Sequence, residues 1–209
     1  MTSSAVPTTD RSEFRHILAS GTRVGALTSV AVVVFILVSR LIPMAPMSMG
    51  VAREMAQTLI VLVTAISASL LPAFWVGARS ADGIAGAAAV GLWGTVVFMA
   101  INIVVLRPLH AYPWTWDAIG GGSNWWYLPI WWMLGTFLAW MGGLHTATRA
   151  ARGTTSLSSL AAPVVIGALV LAGIAAVAHL PVRFHVLAGA GYVVTLAGLA
   201  IVSHARQAA

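Results

Sequence analysis

The chain has 209 residues, 59% hydrophobic and 8% charged, with a mean hydropathy of +0.92. A soluble domain carries about 25% charged residues, so this is the composition of an integral membrane protein. The formal charge of +6 rests on arginine alone, set singly near the ends of apolar runs, and no basic stripe forms that would suit nucleic acid as a partner. Cysteine is absent, which excludes disulfides, thiolate nucleophiles and iron–sulfur ligation.

Residues 1–23 are mostly polar. Thr8 or Thr9 is placed to cap a short helix in which Phe14, Ile17 and Leu18 share one face and Arg11 and Arg15 flank it. That pattern predicts an interfacial helix lying among headgroups on the cytoplasmic side. No small-residue cleavage site follows the first apolar run, so it reads as an uncleaved helix.

Residues 24–204 contain six apolar stretches, at 24–44, 56–76, 86–105, 125–144, 160–178 and 186–203. Each is near the ~20 residues needed to cross a hydrocarbon layer of ~30 Å. They lack the period-2 alternation of a barrel, and a backbone in lipid must satisfy its own hydrogen bonds, so each is expected to be helical. The expected fold is an all-α integral membrane protein, a bundle of about six transmembrane helices with residues 205–209 as a short cytoplasmic tail. Pro72 should kink the second helix, and Ser158 or Ser159 should cap the fifth. With both termini inside, Arg11, Arg15, Arg23, Arg79, Arg149, Arg152 and Arg206 are cytoplasmic, against Arg40, Arg53, Arg107 and Arg183 outside. Seven against four favours N-in and C-in, in a plasma membrane of bacterial type.

This topology puts "LRPLHAYPWTWDAIGGGSNWWYLPIWW" (106–132) at the outer surface, with six of the nine tryptophans. Trp114, Trp116, Trp125, Trp126, Trp131 and Trp132 suit an aromatic belt at the water–lipid boundary. Trp114, Trp116, Trp125 and Trp126, with Arg40 and Arg107, are also the expected surface for a ligand or another membrane subunit. Ser123 or Asn124 would cap the fourth helix, with Pro129 in its first turns.

The same face carries Met44, Met47, Met49 and Met55, together with His110, His179, His185 and Asp117. Thioethers suit Cu(I) and imidazoles suit copper, zinc or iron, so His110, His179, His185, Asp117, Met44, Met47 and Met49 form a candidate metal set with copper as the cofactor. If functional, the histidines and Asp117 should converge on one vestibule beneath Trp114 and Trp116. Haem has weaker support, with His145 and His204 as the other pairing.

Polar residues at membrane depth are few. Asn102 and Gln57 lie near helix ends, and Arg40 should snorkel or pair with Glu54 or Asp117. No Asp, Glu or Lys falls near the centre of a stretch, which argues against a carboxylate-based proton carrier. Glycines recur in helices three, four and six and favour close helix packing. There is no G-x-S-x-G, P-loop, H-E-x-x-H or dinucleotide fingerprint. The leading expectation is a non-catalytic membrane subunit or interaction protein contacting lipid and other subunits. A small transporter or copper-handling protein is the alternative, and an oxidoreductase subunit with a His-held metal or a quinol contact is the third reading.

Overall fold

A computed structural model of the chain describes residues 13–106, 108–109, 127–153 and 156–208. Its elements are α1 (Phe14–Leu41), α2 (Met47–Val76), α3 (Ala81–Ile101) running into a π-helical turn (Asn102–Leu106), α4 (Tyr127–Ala150), α5 (Leu157–Val177) and α6 (Phe184–Ala208). No strand occurs among the described residues. Five of these helices are long and apolar enough to cross a membrane: α1, α2, α3 with its π turn, α5 and α6. The remaining helix, α4, is 24 residues long.

The helix from Phe14 is continuous with the first apolar stretch, so no separate interfacial helix forms over these residues. Phe14 is exposed, but Ile17 packs with Trp75 against Val24, Val76 and Val90. The His16 Nε2–H donates to the Trp75 carbonyl at 3.0 Å, tying the start of α1 to the end of α2. The expected Thr8 or Thr9 cap and Arg11 lie outside the described residues.

Small residues set how closely the helices approach. A Cβ on Gly25 of α1 would stand 2.5 Å from the Gly94 carbonyl oxygen of α3, and one on Gly21 would stand 2.9 Å from that of Val90. Side chains at either position would therefore force these helices apart. The Trp93 indole N–H closes the same crossing by donating to the Thr22 hydroxyl at 3.1 Å. Gly142 of α4 sits against the Ser69 backbone of α2 in the same way.

Packing follows a ring. α1 lies against α2 and α3, α3 against α4, and α4 against α2, while α6 covers α2 and α4 and α5 covers α6. The Trp75 end of the ring is closed where Val24, Val76 and Val90 meet. The main core lies outside the ring, where Leu70, Leu138, Met141, Leu160, Val164, Tyr192 and Leu196 are buried between α2, α4, α5 and α6.

One local expectation changes. Ser156, not Ser158 or Ser159, caps α5 and accepts from the Ser159 N–H at 3.3 Å. Pro72 lies inside α2, which continues to Val76 and ends on Gly77 in the left-handed conformation at φ 71°. Ser123 and Asn124 lie outside the described residues.

Candidate functional site

The four-helix ring surrounds a partly open cavity of about 340 Å³. Val24, Thr28, Ala31, Val32 and Phe35 line it from α1, and Ile60, Val61, Thr64, Ala65 and Ala68 from α2. The opposite wall is Gly91, Gly94, Thr95 and Phe98 of α3 with Trp131, Leu134, Gly135 and Leu138 of α4. Its size falls at the lower end of small-molecule sites, about 300–1,000 Å³.

The chemistry of this space is set by what its three threonines do. Thr28 Oγ1 donates to the Val24 carbonyl at 2.9 Å, Thr64 Oγ1 to Ile60 at 2.7 Å, and Thr95 Oγ1 to Gly91 at 2.9 Å. Each hydroxyl proton is spent on its own helix, one turn back. Among the described residues the lining carries no charged side chain, and its side-chain donor besides the spent hydroxyls is the Trp131 indole N–H at one wall. A hydrated ion or polar solute entering it would lose water without replacement, at a cost of roughly 2–7 kcal/mol per polar group. A hydrocarbon chain meets no such penalty.

The cavity shares a wall with a second hollow. This hollow of about 330 Å³ lies on the outer flank of the α1–α2 seam, lined by Leu27, Val30, Val34, Leu59, Val63 and Ser67. Ala31, Ile60 and Thr64 line both spaces. The seam is thus thin where two of its three residues are small, and its outer flank is the apolar surface that a bilayer would cover.

At the other end of α2 a polar cluster forms around Glu54. Arg183 Nη1 donates to Glu54 Oε1 at 3.1 Å, and His185 Nδ1 lies 3.0 Å from Oε2. Arg183 Nη2 lies 3.6 Å from the Met44 sulfur. The His185 ring packs edge-on against Phe35, with centroids 5.3 Å apart, and so joins this cluster to the cavity wall. Nearby, Gln57 Nε2 donates to Ser39 Oγ at 2.8 Å between α2 and α1.

The sequence expectations divide accordingly. Met44 and His185 do come together, but through an arginine and a carboxylate. Met44 and Met47 line one lipid-facing groove, and Met49 is exposed at 41%. His179 is exposed at the end of α5, with a left-handed backbone at φ 56°. Among the described residues no group of three His, Asp or Glu could hold a metal ion. His110, Asp117, Trp114, Trp116, Trp125, Trp126 and Arg107 lie outside the described residues. Arg183 is the arginine paired with Glu54 among the described residues, Arg40 has contacts of its own, and its other expected partner, Asp117, lies outside the described residues.

Trp131 turns inward onto Phe98, with centroids 6.1 Å apart, and lines the cavity. It belongs to the cavity wall, and the expected aromatic belt is not seen among the described residues. His145 donates from Nε2 to the Leu160 carbonyl at 3.2 Å, which removes that nitrogen as a haem ligand, and its buried Nδ1 has no partner among the described residues. His204 lies on the exposed side of α6.

No family model matches the chain, and neither a curated protein nor a solved structure matches it significantly. Its function therefore rests on its own residues.

Proposed function

We propose that this is a non-catalytic multi-pass membrane protein, a binding subunit that takes a hydrocarbon chain from the bilayer into the α1–α4 cavity through the α1–α2 seam. One observation carries the reading: the cavity is predominantly apolar, because the hydroxyl protons of Thr28, Thr64 and Thr95 are all consumed by backbone carbonyls. The ligand class that follows is the acyl or isoprenoid tail of a membrane lipid. In this reading α4 is the sixth span, both termini are cytoplasmic, and the Glu54 cluster lies at the outer surface.

A copper site on the Met/His face has less support. A guanidinium stands 3.6 Å from the Met44 sulfur and 3.1 Å from Glu54, and its charge opposes a metal cation at those donors.

The test is mass spectrometry of lipids extracted from the purified protein after extensive detergent exchange. The wild type should retain a chain-bearing molecule in stoichiometric amount, and Ala65→Phe, which fills the cavity, should lose it. Equal retention by both would refute the proposal.

A further inference from the structure

The methionines of the Glu54 end suggest a second site, distinct from the cavity. A groove of about 640 Å³ runs along the lipid-facing side of α2, where Met44, Glu54, Met55, Leu59, Leu62 and Leu169 are among its walls. Polarity changes along its length in the sense of a membrane lipid. Glu54 and its partner Arg183 stand at one end, and below them the walls are aliphatic. The Thr58 hydroxyl donates to the Glu54 backbone carbonyl at 2.7 Å and so leaves the groove no donor. From Glu54 to Leu62 the helix rises about 12 Å at 1.5 Å per residue. That lies within the ~15 Å hydrocarbon depth of one leaflet.

Arg183 shows what the polar end lacks. Its guanidinium has five N–H donors. One goes to Glu54, and Nη2 faces a thioether sulfur, a weak acceptor, at 3.6 Å. The side chain is 53% exposed, so it is open to an acceptor from outside the protein. An anionic oxygen in place of the sulfur would give a charge-assisted hydrogen bond about twice as strong as a neutral one. Arg53 directly precedes Glu54 on α2, so two arginines, Arg53 and Arg183, stand near Glu54 at this end.

The geometry points to an anionic phospholipid in this groove, its phosphate on Arg183 and one acyl chain along Met55, Leu59 and Leu62. The site does not depend on the cavity reading, since no residue lines both spaces.

The experiment is native mass spectrometry of the full-length protein with phosphatidylglycerol or phosphatidylcholine of identical chains. Wild type should retain phosphatidylglycerol roughly fivefold better, the effect of about one arginine at an anionic surface. Arg183→Gln should bring that ratio to near unity. Ala65→Phe, which fills the cavity, should keep it, which separates this site from the first. Met55→Trp places a bulky ring in the groove at an exposed position that lines neither the cavity nor the seam hollow, and it should lower retention of both lipids. Should Arg183→Gln fail to fold, Met55→Trp decides the matter, and unchanged retention overturns the proposal. Equal retention of the two lipids by wild type, or an unaltered ratio in Arg183→Gln, also overturns it. So does displacement of the lipid by excess inorganic phosphate, which would mark a site for a free anion instead.

Discussion

The hydroxyls of Ser69 and Tyr192 lie 2.8 Å apart between α2 and α6, and both side chains are fully buried. Ser69 gives its single proton to the Ala65 carbonyl at 2.7 Å, so the tyrosine must be the donor in the pair. Tyr192→Phe then leaves Ser69 with its own bond intact and should cost only about 0.5–1.5 kcal/mol. Tyr192→Ala removes the whole ring from the core and should cost roughly 3–5 kcal/mol. Unfolding in mixed detergent–dodecyl sulfate micelles measures both, and equal losses would contradict the assignment.

Gly142 and Gly173 should respond oppositely to alanine. A Cβ on Gly142 would meet the Ser69 backbone, whereas one on Gly173 meets nothing within 4 Å. Gly142→Ala should therefore destabilise by about 1–3 kcal/mol through forced separation of α2 and α4. Gly173→Ala should be neutral or stabilising by up to about 1 kcal/mol, because alanine is the better helix former. The same unfolding assay distinguishes them.

Glu54 should be coupled to Arg183 rather than to Arg40. With the Arg183 side chain 53% exposed, screening limits the coupling in a double-mutant cycle of Glu54→Gln and Arg183→Gln to about 0.2–1 kcal/mol. The coupling to His185, whose side chain is 14% exposed, should lie at or above the top of that range. Arg40→Gln and Glu54→Gln should add to within about 0.5 kcal/mol. A coupling of Arg40 to Glu54 larger than that of Arg183 would reverse the account of this end.

The helices were legible in the sequence because their signal is one-dimensional: long apolar runs have one structural solution in lipid. The start of α1 was misread for an instructive reason. Arg15, Ser20, Gly21 and Arg23 lower the hydropathy there, yet Ser20 and Gly21 are buried because small residues let α1 approach α3. The cavity was not legible, since it depends on which faces meet and on threonine protons being spent inside their own helices. Arg183 counted only as a loop charge, although its position two residues before His185 at the start of α6, opposite a lone glutamate at the start of α2, was the available sign.

The proposed orientation has its own check in this cysteine-free chain. Met47, 85% exposed at the start of α2, and Ser158, exposed at the start of α5, should lie on opposite sides. In intact cells a membrane-impermeant maleimide should label Met47→Cys and spare Ser158→Cys. The reverse pattern would invert the topology.

The claim on which the rest depends is that a hydrocarbon chain occupies the space between α1, α2, α3 and α4. Photo-crosslinking with a diazirine-bearing acyl lipid, followed by peptide mapping, reads that occupancy directly. Labels are expected on the peptides carrying Ala31, Ala65 and Leu134, and they should disappear in Ala65→Phe. Labels confined to outward positions such as Ile166 and Val194, each 62% exposed, and unchanged by that substitution, would mean that the chain stays in the bulk bilayer and the account is wrong.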